Sequence, residues 1–232
     1  SSTTFRNLKI ANSGDPGQGA HEAGLAIRSS FFAPHFDGLE ITGSPGPGIS
    51  ATSGGAMQGS NWFLHNNSED GLYIDSSTVI VDGLHLTDNG QSGAHVFDSR
   101  YVTLTNLTAD GNGNLGLSDV EQAGLFFEKS NDIETNSGDV TCNYCTVSNS
   151  AGIGEMVKDS VDLWLNHLTV QDNNPAYDPI SIDNSGLTIG QQGGQVNLQD
   201  IIIDTERLGT DSGPALRINQ AAAHIDLITL HG

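Results

Sequence analysis

Positive charge is scarce in this chain: 8 Lys and Arg stand against 28 Asp and Glu, a formal net charge of −20 over 232 residues. Phosphate backbones are held by clustered Lys and Arg, so the charge balance argues against nucleic acid and anionic membrane surfaces as partners. No apolar run is long enough to cross a bilayer, so no membrane insertion is expected. Aromatics are few, with 8 Phe, 4 Tyr and 2 Trp, while Gly reaches 29, a balance that suits tight turns and small stacked side chains. No stretch carries convincing apolar spacing at 3.6 residues, which makes a βαβ sheet with crossover helices a poor competitor. Two cysteines, Cys142 and Cys145, are too few for a structural zinc site without two more ligands.

What is present is a repeat. The pattern apolar-x-apolar-x-turn-apolar-x-apolar occurs in Val79 to Leu86, Val102 to Ala109, Val140 to Val147, Leu163 to Val170, Val196 to Ile203 and Ala223 to Leu230. Weaker copies occupy Thr3 to Ile10, Pro34 to Ile41 and the neighbourhood of Asn61 to Leu64. The central apolar positions are Leu8, Leu39, Trp62, Leu84, Leu107, Cys145, Leu168, Ile201 and Ile228, several of them 22 or 23 residues apart. A fixed period with tolerated insertions is the mark of a solenoid.

A second short run follows a glycine in Gly24 to Ile27, Gly48 to Ala51, Gly71 to Ile74, Gly93 to Val96 and Gly124 to Phe127. Each repeat therefore holds three period-2 runs, all too short for helices. Three strands per turn of a coil predict an all-β parallel β-helix of about nine coils, in which neighbouring coils bury each other's apolar residues. The repeat runs end to end, which predicts a single domain over residues 1–232. No amphipathic helix caps either end, so the terminal coils are expected to be covered by further chain, adjoining domains or a second copy.

The three-strand coil with a two-residue bend, and asparagine at that bend in Asn7, Asn61 and Asn106, resembles the right-handed parallel β-helices of the pectate-lyase-like superfamily. An asparagine ladder at the bend is familiar there. The resemblance implies a secreted or cell-surface protein that meets a polysaccharide, acidic ones included. It leaves open lyase, hydrolase or epimerase chemistry, as well as a non-catalytic role in a surface, filament or tailspike-like protein. No paired aspartates with Gly-His-Gly occur, and no nonapeptide calcium repeat. Tyr177-Asp178-Pro179-Ile180-Ser181 is similar to an epimerase neighbourhood but carries Ser181 where a histidine belongs. Lys129, Lys158 and Arg217 are the only candidates for a lyase-type base and its partner.

Strand alternation narrows the choice. With Leu72 and Ile74 inward, Tyr73 and Asp75 point outward. The same rule stacks His95, Phe126, Ser181 and Arg217 on Tyr73. It places Glu128, Asp183 and Asn219 above Asp75, with Asp98 joining them after a one-residue shift at Phe97. Asp75, Asp98, Glu128 and His95 are therefore the candidate catalytic groups, and Tyr73, Phe126, Arg217 and Asp183 the candidate substrate contacts. Rings beside carboxylates suit a sugar polymer, since rings stack on apolar sugar faces and carboxylates bind hydroxyls or exchange protons. Insertions at Ser13 to Ala23, Asp110 to Ala123 and Thr205 to Ser212 precede the same strand, and they would hang His21, Glu22, Asp119 and Glu121, with His65 and Glu69, over that face. Acidic loops of this kind can take Ca²⁺, which needs six to eight oxygens, although no contiguous ligand set is visible. The alternative for the whole face is solvated polarity on a structural stack. Cys142 and Cys145 fall at inward positions on either side of a bend, where they read as small buried residues, with a local disulfide as the alternative.

Overall fold

A computed structural model describes residues 3–13, 22–29, 32–99, 101–113, 122–128, 140–158, 163–173, 180–183, 196–204, 216–219 and 223–231; for 181–183 and 219 it describes the backbone alone. Among the described residues there are eighteen strands and no α-helix. The long strands are β1 (Thr4–Ala11), β3 (His35–Thr42), β5 (Ala56–His65), β7 (Thr78–Thr87), β9 (Val102–Asp110), β11 (Val140–Ser148), β13 (Leu163–Gln171) and β15 (Val196–Asp204). The last coil divides its long strand into β17 (Ala223–Ile225) and β18 (Ile228–His231). Between them run the short strands β2 (Leu25–Arg28), β4 (Ile49–Thr52), β6 (Leu72–Asp75), β8 (Ala94–Phe97), β10 (Leu125–Glu128), β12 (Glu155–Lys158), β14 (Ile180–Asp183) and β16 (Leu216–Asn219).

Every odd-numbered strand pairs in parallel with the next odd one, and every short strand with the next short one, so the chain advances one strand spacing per turn. The nine central apolar residues form one column in the expected order, Leu8 to Leu39 to Trp62 to Leu84 to Leu107 to Cys145 to Leu168 to Ile201 to Ile228. From Leu39 to Ile201 each member is buried.

The three expected faces appear as two hydrogen-bonded sheets because the long strands fold at one residue without breaking the ladder. That residue has left-handed φ on successive coils: Asn7, Gly38, Asn61, Gly83, Asn106, Tyr144, His167 and Asp200. Asparagine and glycine enter this region at low cost, which explains the asparagines at the bend. Their side chains do not make the ladder. Asn7, Asn61 and Asn106 are exposed, and Asn106 donates to Asp82. The ladder lies one corner further on, where Asn67, Asn89 and Asn112 are buried. Asn89 Oδ1 accepts from Asn67 N and Nδ2, and Asn89 Nδ2 donates to Leu64 O and Asn112 Oδ1. Each buried corner amide thereby satisfies the backbone of its neighbours.

The glycine before each short strand has a steric cause. A Cβ on Gly48, Gly71, Gly93 or Gly124 would come within 2.6–2.8 Å of the carbonyl oxygen of the corresponding glycine on the next coil. Cys142 and Cys145 are joined by a disulfide, which replaces the reading of two unpaired small residues. The bend at Tyr144 turns both inward vectors toward each other, with the Cα atoms 6.2 Å apart.

Candidate functional site

The outer face of the short-strand sheet gathers most of the expected residues. Strand register places Ser50, Tyr73, His95, Phe126 and Met156 in one outward column. The parallel column holds Arg28, Thr52, Asp75, Phe97, Glu128 and Lys158. Tyr73 meets His95 edge-on at 5.3 Å between centroids, and His95 stacks on Phe126 at 4.4 Å.

Two expectations are corrected here. β8 pairs with β6 and β10 without a bulge, so Phe97 takes the place opposite Asp75 and Glu128. Asp98 instead occupies the following corner, with left-handed φ. Phe126 faces outward from the coil yet is only 3% exposed, because Ala123, Ile153 and Met156 enclose it in a second small apolar cluster. It supports His95 from behind and is not an open platform.

Arg217 is exposed and in register with Ser181. It lies four strand spacings beyond His95, about 19 Å at the usual separation, so it joins neither Tyr73 nor His95. Asp183 belongs to β14 in register with Lys158, and its side chain lies outside the described residues, as do His21, Lys129, Asp119 and Glu121. His65 projects from the long-strand sheet, where its Nε2 lies 3.5 Å from Glu40, so it does not overhang this face. Glu22 is not among the residues lining the cleft described next.

A cleft of about 400 Å³ opens at the first coils of this face, lined by Arg28, Ser50, Glu69, Asp70, Tyr73, Asp75, Gln91, Ser92 and His95 among others. Asp70 is the residue that alternation could not reach. It precedes the ladder glycine Gly71 and sits in the corner, buried, with Oδ1 accepting from Ser92 N at 2.9 Å. Its Oδ2 lies 3.8 Å from His95 Nδ1, and Glu128 Oε2 lies 3.7 Å from His95 Nε2. The imidazole is thus bracketed by two carboxylates. Its Nε2 is buried without a hydrogen-bond partner, since 3.7 Å exceeds hydrogen-bond length. Glu128 also receives Lys158 Nζ at 3.1 Å. Asp75 accepts from Ser76 Oγ at 2.8 Å.

Burial, and after it the charges of Asp75, Asp70 and Glu128, push the Tyr73 phenol up to about 12. It stays protonated at neutral pH and offers a hydroxyl donor beside its ring. Among the described residues no group of three or more His, Cys, Asp or Glu is arranged to hold a metal ion.

The family described as the right-handed β-helix region matches residues 1–203. The chain belongs to that family. The match agrees with the parallel coils and fixes their hand, in keeping with the right-handed crossover rule for parallel strands. No curated protein and no solved structure matches this right-handed β-helix protein.

Proposed function

We propose that the cleft between Arg28 and His95 binds a glycan, and that His95, held between Asp70 and Glu128, is its proton-transferring group. The bracketed imidazole carries this reading: His95 lines the cleft with a carboxylate beside each ring nitrogen, Asp70 3.8 Å from Nδ1 and Glu128 3.7 Å from Nε2, an arrangement that suits proton exchange with a ligand on its Asp70 side. Asp70 sets a negative charge beside Nδ1 of the ring, Tyr73 supplies a stacking face with a protonated hydroxyl, and Asp75 accepts from sugar hydroxyls at the rim. Lyase, hydrolase and epimerase chemistry all need such an acid–base group. The Cys142–Cys145 disulfide fits an extracellular or cell-surface setting, where thiols oxidise.

A second reading, a structural or adhesive stack without turnover, is favoured by the partners the carboxylates already have. Glu128 is paired with Lys158 and Asp70 with a backbone amide. One experiment separates the two. Glycan binding and cleavage are measured across a polysaccharide panel for the parent, Tyr73→Ala and His95→Gln. Tyr73→Ala is expected to weaken binding by roughly 1 kcal/mol or more, and His95→Gln to abolish turnover while binding persists. Binding without turnover in the parent supports the structural reading, and unchanged binding in both variants places the function elsewhere.

A further inference from the structure

Resting on the glycan reading, we propose that this cleft selects uncharged sugar chains and rejects polyuronates and sulfated glycans. The charge inventory of its walls is one-sided. Glu69, Asp70 and Asp75 line it, and Arg28, exposed at the end of β2, is the one Lys or Arg among the lining residues. Among the described residues, the next cation along this face, Lys158, sits beyond His95 and is engaged by Glu128 at 3.1 Å. The chain as a whole carries −20 and supplies no distant compensation. A carboxylate or sulfate on a bound sugar would lie well inside the Debye length of about 8 Å from these side chains, where repulsion is scarcely screened.

The same walls suit hydroxyl groups. Carboxylates accept two hydrogen bonds readily, and neighbouring sugar hydroxyls present two donors. Ser92 provides an independent sign of a ligand. It lines the cleft, it is 1% exposed, and its Oγ has no hydrogen-bond partner. A buried hydroxyl left unpaired is costly, and a ligand that both donates and accepts removes that cost. A sugar hydroxyl does both, whereas a carboxylate only accepts and would face Asp70 and Asp75 as it did so.

The test measures binding of neutral oligosaccharides cut from β-glucan, xylan and mannan against polygalacturonate, alginate, dextran sulfate and polyglucosamine. Titrations are run in EDTA at about 0.01 M salt, where the Debye length is about 30 Å, and repeated with calcium. At least one neutral series is expected to bind, and the polyanions to bind at least tenfold more weakly, about 1.4 kcal/mol. The double variant Glu69→Gln/Asp75→Asn is expected to raise the ratio of polyanion to neutral affinity about tenfold. Preference for a polyanion in EDTA, polyuronate binding that appears with calcium, tighter binding of polyglucosamine than of neutral chains, or an unchanged ratio in the double variant would each overturn the selectivity. A parent that binds no glycan of any charge overturns the glycan reading itself, and this inference with it.

Discussion

Glu155 is the least expected side chain in the core. It begins β12 at an inward position, in register with Leu125 on one side and Ile180 on the other. It is 0% exposed, and neither carboxyl oxygen has a hydrogen-bond partner. Desolvation alone raises its pKa from the ordinary 4.5 to about 8, so the folded protein holds this carboxyl neutral through most of the physiological range. The consequence for stability has a definite sign. Below pH 4.5 the folded and unfolded states both carry the proton, and the group has no effect. Between 4.5 and about 8 the unfolded chain releases the proton while the folded chain keeps it, so unfolding gains from every rise in pH. The slope is about 1.4 kcal/mol per pH unit, and the interval from 4.5 to about 8 removes about 5 kcal/mol in all. Above about 8 both states are ionised and the loss is complete. Denaturant melts of the parent and of Glu155→Gln across this interval isolate the effect, because the other carboxylates cancel in the difference. The stability advantage of Glu155→Gln should be near zero at the acid end and climb by about 1.4 kcal/mol per pH unit. An advantage that stays flat with pH, or a parent that is the more stable protein at the alkaline end, refutes the reading of an isolated buried carboxyl.

Two further outcomes are expected. Phe126→Ala should destabilise the fold by about 3–5 kcal/mol, as truncation of a buried ring does, and thermal or denaturant unfolding will show it; a loss below about 1 kcal/mol would return this ring to the exposed surface. Asn89→Ala removes the acceptor for Asn67 N and Nδ2 and the donor to Leu64 O. At about 1–3 kcal/mol for each buried group left unpaired, the variant should lose at least about 3 kcal/mol in the same melts, whereas Asn106→Ala at the exposed bend should lose less than about 1.5 kcal/mol.

The coil was legible in the sequence because its cause is local and repeated. Each inward column needs an apolar residue on every turn, so alternation and period appear together in Val79 to Leu86 and Val102 to Ala109 and fix the register from Leu8 to Ile228. The outward neighbours Tyr73, His95 and Phe126 followed from the same alternation. Alternation fixes which way a side chain leaves the backbone and nothing about what later covers it. Only packing decided that Phe126 is enclosed by Ile153 and Met156. β12 escaped the glycine-plus-apolar pattern because Glu155 stands where the pattern requires an apolar residue, although Gly154 precedes it. Asp70 escaped because it lies in a corner, where period 2 lapses and direction is set by the turn. The tertiary structure alone decided that its carboxylate meets His95, since the two residues lie 25 positions apart in sequence and one coil apart in space. It also moved the asparagine ladder from the bend to the next corner. A bend needs only a residue that tolerates left-handed φ, whereas a ladder needs a buried amide with backbone groups above and below it.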